Sequence, residues 1–168
     1  YELPLNFQKQ GLDEKVTELL GMWTAQPNIQ DLEQVLHNIN NPKKRVRIGI
    51  VGKYTELIES YKSLDEALNH GAISNQLEFE PIYIDAEDLE TEKRESILSE
   101  VDGILVPGGF GERGTEGKIK AIEYARENNL PFFGICLGMQ LAMIEFSRNV
   151  VGISDATSEE FEEKGTPV

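Results

Sequence analysis

The sequence has few of the residues on which several common protein classes depend. Its 168 residues include one cysteine and two histidines, and 30 acidic residues outnumber 16 lysines and arginines, giving a formal net charge of −14. A single cysteine cannot form an internal disulfide, which indicates a reducing, cytoplasmic compartment. An acidic surface is repelled by a phosphate backbone, so we expect no nucleic-acid partner.

Long apolar runs and familiar ligand motifs are also missing. No stretch approaches the roughly 20 apolar residues of a membrane span, and residues 1–10 lack a signal-peptide pattern, so we expect no membrane partner. No G-x-x-x-x-G-K-S/T phosphate loop occurs, and no histidine–cysteine cluster suggests a metal site. The chain begins at Tyr1 rather than at a methionine, which suggests a fragment or a processed protein.

Residues 1–42 have the pattern of a helical linker. Apolar side chains recur at helical spacing around residues 12–20 and again around residues 32–39, with Pro27 between the two stretches. We predict a helical interdomain linker over residues 1–42 and a second domain over residues 43–168.

From Val46 onward, predicted strands alternate with predicted helices. The strands cover residues 46–51, 79–84, 103–106 and 131–135, the helices cover residues 60–70, 92–100, 117–127 and 137–147, and residues 166–168 begin a further strand. This alternation predicts right-handed βαβ units. We therefore predict an α/β fold with a doubly wound, flavodoxin-like, mostly parallel sheet that has helices on both faces. Its strand order, 2-1-3-4, places ligands at the carboxyl ends of the strands.

The single cysteine lies where the fourth predicted strand meets the last predicted helix. Gly134 and Gly138 flank Cys136 in the small-x-nucleophile-x-small pattern of a strand-to-helix elbow. The glycines permit a tight turn that lifts the nucleophile above the sheet, and the helix N-terminus favours a thiolate there. A buried structural cysteine is the alternative.

A glycine-rich loop follows the third predicted strand. Residues 107–111 read Pro-Gly-Gly-Phe-Gly, and such a loop presents backbone N–H groups without obstruction by side chains. If the third and fourth strands are neighbours, the amides of Gly109 and Leu137 could converge on one oxygen, as attack by Cys136 on a carbonyl requires. The alternative is an ordinary βα turn, and the G-x-G-x-x-G spacing of dinucleotide folds is absent.

Longer runs around these two loops resemble a known family. Residues 134–140, Gly-Ile-Cys-Leu-Gly-Met-Gln, resemble the nucleophile motif of class I, or triad-type, glutamine amidotransferases. Residues 105–118, Leu-Val-Pro-Gly-Gly-Phe-Gly-Glu-Arg-Gly-Thr-Glu-Gly-Lys, are similar to the CTP synthase family, and residues 1–13 resemble that family's linker between synthetase and glutaminase domains. Shorter matches occur at residues 52–54, 61–63, 124–129 and 145–150. The resemblance covers essentially the whole chain.

The resemblance implies part of a larger enzyme. It implies that L-glutamine is hydrolysed to glutamate and ammonia, and that the ammonia passes to a synthetase domain that aminates UTP to CTP with ATP and Mg²⁺, in cytoplasmic pyrimidine nucleotide biosynthesis. Because the synthetase machinery is not in this chain, no cofactor and no metal are expected to bind this segment. The intact protein is expected to be a homo-oligomer, a tetramer, with GTP as an allosteric activator.

The resemblance also assigns roles to residues of the two loops. Cys136 would form the γ-glutamyl thioester, and the amides of Gly109 and Leu137 would form the oxyanion hole. Glu160 could pair with the substrate ammonium, or could be a solvated acid of the charge run 159–163. The residues that match glutamine-binding positions are Gly109, Leu137, Gly138, Met139, Gln140 and Glu160.

Three further residues match a loop that is associated with GTP activation in the family. They are Arg113, Gly114 and Glu116. The alternative for this segment is a solvated turn followed by a helix cap, which is favoured slightly for Glu116.

The base that a triad needs is missing. A cysteine nucleophile of this class requires a histidine oriented by an acid. The family has both in a His-x-Glu segment well downstream of the elbow, and no such segment occurs here. His70 is expected towards the amino ends of the strands, opposite Cys136, and His37 lies in the linker. We therefore predict that the chain is truncated within its glutaminase domain. We also predict that this chain alone turns over glutamine negligibly.

Two other functions stay open. One is a catalytically silent fragment that docks on a synthetase domain or packs into an oligomer. The other is a cysteine hydrolase of the related chaperone and peptidase-like α/β group, which residues 113–118 and the N-terminal linker disfavour.

Overall fold

The chain contains two units of tertiary structure. One comprises Tyr1–Arg45 with Asn69–Glu78, and the other comprises Val46–Leu68 with Phe79–Val168. The predicted domain boundary between residues 42 and 43 stays a prediction.

The computed structural model describes residues 1–23, 25, 27–53, 58–91, 94–161 and 165–168. Three features of the sequence lie partly outside these described residues. They are residue 54 of the matched run 52–54, residues 92–93 of the predicted helix 92–100 and residues 162–163 of the acidic run.

The first unit is helical at both predicted stretches and at one more. Its helices are α1 (Leu3–Lys9), α2 (Leu12–Leu19) and α3 (Gln30–Asn40). Helix α1 was not predicted, because its apolar residues Leu3, Leu5 and Phe7 alternate every second position and give no helical period. A proline in its first turn favours a helix start, since no intrahelical N–H bond is lost there.

The second unit is built on the predicted parallel sheet. Its strands are β1 (Lys44–Gly52), β2 (Leu77–Asp85), β3 (Gly103–Val106) and β4 (Phe132–Gly134), in the order β2-β1-β3-β4. Strand β3 pairs in parallel with β1 on one side and with β4 on the other, and Val106 is opposite Gly134. The predicted order is therefore confirmed, and the carboxyl ends of β3 and β4 lie side by side.

Helices follow each strand of this sheet, as the alternation predicts. They are α4 (Lys62–Ser74) after β1, α5 (Arg94–Leu98) after β2, α6 (Thr115–Glu127) after β3 and α7 (Leu137–Phe146) after β4. Short 3-10 helices precede α4 (Ile58–Tyr61) and α5 (Ala86–Glu90), and a π-helical turn (Ser147–Val151) extends α7. A small parallel pair, β5 (Ala156–Thr157) with β6 (Thr166–Pro167), follows. The strand predicted at residues 166–168 is thus confirmed, whereas β5 is too short to give a sequence signal.

The core of the second unit is formed by β3, α6 and α7. Ile104 and Val106 on the sheet, Ile122 on α6, and Leu141 and Ile144 on α7 are almost completely buried in one cluster. Burying such side chains supplies most of the favourable free energy of folding, roughly 1.5–3 kcal/mol for each. This packing fixes α6 and α7 against the sheet edge from which the two glycine-rich loops emerge.

Among the described residues, no helix is long and apolar enough to cross a membrane. The same residues contain no group of three or more histidine, cysteine, aspartate or glutamate side chains that could hold a metal ion.

Candidate active site

Cys136 occupies a strained turn between β4 and α7. Its backbone has φ +51° and ψ −109°, a conformation that costs a non-glycine residue on the order of 1–3 kcal/mol. The side chain of Cys136 is exposed. An exposed thiol on a strained turn is the elbow geometry that the flanking glycines predict, and it is contrary to a buried structural cysteine.

The glycines of the elbow are required by close packing. A Cβ atom on Gly138 would lie 2.2 Å from the Val106 carbonyl oxygen, and one on Gly134 would lie 2.6 Å from the Gly138 carbonyl group. Neither contact is possible for a real side chain. The turn therefore presses α7 directly onto β3, and this contact holds Cys136 at the carboxyl edge of the sheet.

The first turn of α7 uses most of its amides locally. The Gly138 N–H donates to the Ile135 carbonyl at 2.9 Å, and the Met139 and Gln140 N–H groups donate to the Cys136 carbonyl at 3.0 and 3.1 Å. The amide of Leu137 precedes these three donors. It is therefore the candidate oxyanion donor of this turn.

The glycine loop after β3 lies against the elbow, as the strand order predicts. A Cβ atom on Gly108 would be 3.5 Å from Cys136 Cβ, and one on Gly109 would be 3.7 Å from Leu137 Cδ2. The Ile135 N–H also donates to the Val106 carbonyl at 3.0 Å, at the point where both loops begin. The structure thus brings Gly109, Cys136 and Leu137 together, while leaving the role of each to experiment.

An exposed cysteine on a glycine-flanked elbow, beside a second glycine loop, is the arrangement of a cysteine acyl-transfer site. Residues 56–168 match the family model described as glutamine amidotransferase class-I. The chain belongs to this family. The family resemblance noted from residues 134–140 is thereby confirmed.

The curated relatives of this amidotransferase chain include CTP synthases. It is 57% identical over 162 residues to CTP synthase of Desulfotalea psychrophila, a match that covers 96% of this chain and 29% of that protein. It is 56% identical over 161 residues to CTP synthase of Lawsonia intracellularis, covering 96% and 29%. For CTP synthase of Ruminiclostridium cellulolyticum the identity is 51% over 168 residues, covering 100% and 32%. The chain therefore spans about a third or less of the length of these relatives.

A solved structure supports the fold. The glutaminase domain of Trypanosoma brucei CTPS with bound acivicin is similar at 48% sequence identity and a TM-score of 0.67. The match covers 72% of this chain and 47% of that chain. The predicted α/β architecture is confirmed by this similarity together with the observed sheet.

The predicted glutamine-binding residues fall into two groups. Gly138, Met139 and Gln140 share the first turn of α7 with Leu137 and so lie next to Cys136. The Gln140 side-chain oxygen is buried and has no hydrogen-bond partner among the described residues. It is therefore available to accept a hydrogen bond from a polar ligand. Glu160 is in an exposed turn after β5, where its N–H donates to Ser158 Oγ at 3.2 Å.

The residues that match the GTP-associated loop have structural partners. Arg113 pairs with Glu87, and this hydrogen bond lowers the pKa of the Glu87 carboxyl below its usual value. Gly114 caps α6 in a left-handed conformation, with φ +70°. Glu116 accepts a hydrogen bond from Arg148 Nη1 at 2.9 Å. These contacts fit the turn-and-cap alternative, and the GTP role stays a prediction.

Both histidines of this amidotransferase chain lie in the first unit, whereas Cys136 lies in the second. His70 Nε2 is 2.8 Å from the Tyr1 hydroxyl, and His37 Nδ1 is 3.4 Å from Asn41 Nδ2. Each ring therefore has a hydrogen-bonding neighbour of its own unit, and that neither histidine serves as the base stays a prediction.

Lys118 was not predicted as part of the site. It is the fourth residue of α6, only 2% exposed, and its Nζ is 4.0 Å from the position that a Cβ atom on Gly109 would occupy. Burial, reinforced by the charge of Lys53, lowers the pKa of Lys118 from 10.5 to about 8. The sequence does carry a signal for its burial, because Lys118 shares the inward stripe of α6 with Ala121, Ile122 and Ala125.

Proposed function

We propose that this chain is the glutaminase segment of a CTP synthase, with Cys136 as the nucleophile that attacks the side-chain amide of L-glutamine. The observation that carries this proposal is the exposed Cys136 on its strained elbow, directly beside the Gly108–Gly109 loop. The high identity to CTP synthases over almost the whole chain supports the choice among amidotransferases.

The proposed reaction follows from the chemistry of a thiol and an amide. The Cys136 sulfur bonds to the amide carbon, and the carbonyl electrons move to the oxygen, where the N–H groups of Gly109 and Leu137 stabilise the negative charge. Collapse of this intermediate breaks the C–N bond and releases ammonia, leaving a γ-glutamyl thioester on Cys136. Water then attacks the thioester, which yields glutamate and restores the thiol.

The remaining residues have supporting roles in this proposal. Gly138, Met139 and Gln140 shape the end of the glutamine site next to Cys136, and the unpartnered Gln140 oxygen accepts a hydrogen bond from the substrate. Glu160 pairs with the substrate ammonium. The general base is a histidine of a His-x-Glu segment outside residues 1–168, so this chain alone turns over glutamine negligibly.

In the intact protein, the ammonia aminates UTP to CTP in a synthetase domain that binds ATP and Mg²⁺. We propose a cytoplasmic homotetramer, activated by GTP at the loop that contains Arg113, Gly114 and Glu116. Similarity to the curated CTP synthases supports the role in CTP synthesis, whereas the tetramer, the compartment and the GTP role rest on the family resemblance alone.

A glutamine analogue that carries a chloromethyl ketone in place of the carboxamide tests the proposed nucleophile. The Cys136 sulfur displaces chloride from this glutamine chloroketone, so that one methylene group separates the sulfur from the ketone carbonyl. We expect the folded chain to be labelled at Cys136 at least about 100-fold faster than the urea-unfolded chain, the order of effect that one oxyanion donor supplies. Iodoacetamide, which lacks the amino-acid group, should show no such preference. A catalytically silent module would react with both reagents no faster than a free thiol.

A further inference from the structure

Lys118 carries a buried charge that no neighbour neutralises. Its surroundings disfavour the ammonium through burial and through the like charge of Lys53, and among the described residues no hydrogen bond or carboxylate offsets these effects. Lysines are almost never fully buried unless they are paired, because removing an ammonium from water costs several kcal/mol. Such a group is a candidate for function rather than for stability.

The position of Lys118 connects this charge to the proposed oxyanion site. The Lys118 ammonium and the Leu137 side chain both lie close to Gly109, at 4.0 Å and 3.7 Å from the position that its Cβ atom would occupy. The next part of the loop is already held by a lysine, because Lys53 Nζ donates to the Phe110 carbonyl at 2.7 Å and to the Gly111 carbonyl at 3.2 Å. Two lysine ammonium groups therefore lie beside this loop, and of these two described side chains Lys53 is the one that donates hydrogen bonds to it.

We propose that Lys118 is a positioning residue for the oxyanion site: its unneutralised charge orients the Gly109 peptide and favours negative charge on the substrate oxygen at Cys136. A cation attracts the carbonyl end of a neighbouring peptide and turns the N–H end away, here towards the elbow. The ammonium is 4.0 Å from the Gly109 Cβ position, and an oxygen bonded to the Gly109 N–H is about 3 Å from that nitrogen. The proposed oxyanion is therefore at most roughly 10 Å from this charge, a distance at which an incompletely screened unit charge still acts. This inference rests on the proposed function and adds to it a residue that touches neither glutamine nor Cys136.

Replacement of Lys118 by methionine removes the charge and keeps a side chain of similar length. The measured quantity is the selectivity ratio, defined as the labelling rate of Cys136 with the glutamine chloroketone divided by its rate with iodoacetamide. We expect Lys118→Met to lower this ratio about 20-fold, the factor for a unit charge at roughly 8–10 Å and an effective dielectric constant of about 20. Lys120→Met is the matched control on the same helix, since the Lys120 ammonium bonds to the Glu90 carbonyl instead.

The pH dependence of the selectivity ratio in the unmodified chain distinguishes an effect of the Lys118 charge from an effect of the shape of its side chain. Ionisation of Cys136 accelerates both reagents and cancels in the selectivity ratio. Deprotonation of Lys118, whose pKa is about 8, should therefore lower the ratio as the pH rises through that value. The Lys118→Met profile should lack this step and should follow only the α-amino group of the chloroketone, whose ammonium Glu160 is proposed to bind in both chains. A purely structural role for Lys118 would not give the unmodified chain this dependence.

We do not expect the other charged groups around α6 to cause this pH dependence of the selectivity ratio. Lys53 at the end of β1 is the neighbour whose charge affects the pKa of Lys118. Three groups on or around α6 are in ion pairs: Glu87 with Arg113, Glu116 with Arg148, and Glu145 with Arg126. Asp88 and Glu90 on the 3-10 helix before α5, and Glu95 on α5, are the other acidic groups on these elements, and none of them is a cause of the shift in the Lys118 pKa. Strand β3, beneath the helix, has no titratable side chain.

Two results would overturn the inference. One is a selective wild-type reaction whose ratio and whose pH profile are the same in Lys118→Met. The other is an equal loss of selectivity in Lys120→Met. A folded wild-type chain that shows no selectivity at all would reject the proposed function itself, and this inference with it. The two failures are therefore distinguishable.

Discussion

Replacing Lys118 with methionine is expected to stabilise the protein while impairing its chemistry. Burial and the Lys53 charge lower the pKa of Lys118 from 10.5 to about 8 in the folded chain. In the unfolded chain the lysine is solvated and titrates near its ordinary value. Because one pKa unit corresponds to about 1.4 kcal/mol, the charged lysine costs the folded state about 3 kcal/mol at neutral pH. Methionine, which has no charge to desolvate, avoids this cost.

The pH dependence of this gain has a definite sign. Below about pH 8, Lys118 is protonated in both states and the full cost is present. Between about pH 8 and about pH 10.5 the unfolded chain binds more protons than the folded chain, so wild-type stability rises with pH. The advantage of Lys118→Met should therefore fall from about 3 kcal/mol near pH 7 to less than about 1 kcal/mol near pH 10.

Urea unfolding of the wild type, Lys118→Met and the control Lys120→Met near both pH values measures this difference. Groups that titrate in wild type and variant alike cancel in the comparison. The reasoning is refuted if wild type and Lys118→Met have the same stability at neutral pH. A gain that does not change with pH would also refute it, because that gain would come from packing rather than from charge.

The packing of the elbow and of the two helices behind it gives further predictions. Gly138→Ala places a Cβ atom 2.2 Å from the Val106 carbonyl oxygen, so urea unfolding should show a loss of more than about 2 kcal/mol and an unstructured elbow; a stable, selectively labelled variant would contradict the close packing. Glu145 is buried and bonded to Arg126 at 2.9 Å, so Glu145→Gln should lower the free energy of unfolding by about 2–3 kcal/mol; an unchanged midpoint in urea would show that this ion pair is not needed. The purified chain should release almost no ammonia from glutamine, and steady release that Cys136→Ala abolishes would show that a base is present within it.

The parts of the fold that the sequence predicts are those with local causes. Apolar periodicity and the alternation of strands and helices predict a parallel sheet with right-handed βαβ connections. The order 2-1-3-4 is the flavodoxin-like one of the two common doubly wound orders, and the structure has this order. The elbow is predictable because the glycines at positions 134 and 138 are needed by contacts with neighbouring backbone. The adjacency of Gly109 and Leu137 then follows from the strand order alone.

Other features depend on contacts that the pattern does not encode. Helix α1 begins with apolar residues at every second position, which resembles a strand, and its helical state is decided by context. Strand β5 has two residues, too few for any period. The burial of Lys118 could have been predicted from its position in the inward stripe of α6. Its lack of a partner among the described residues could not, because that depends on which side chains surround it in the folded protein. The roles of Glu160 and of the loop at Arg113 and Glu116 rest on family resemblance, because their contacts also suit ordinary surface structure.

The central claim is that Cys136 is the nucleophile of a glutaminase whose oxyanion hole is formed by Gly109 and Leu137. A crystal structure of the chain after reaction with the glutamine chloroketone tests both parts together. The account predicts a covalent bond from Cys136 Sγ to the ligand, with the ketone oxygen about 2.7–3.1 Å from the backbone nitrogens of Gly109 and Leu137. An adduct whose ketone oxygen points away from both amides, or a crystal soaked to saturation without an adduct on Cys136, would contradict it.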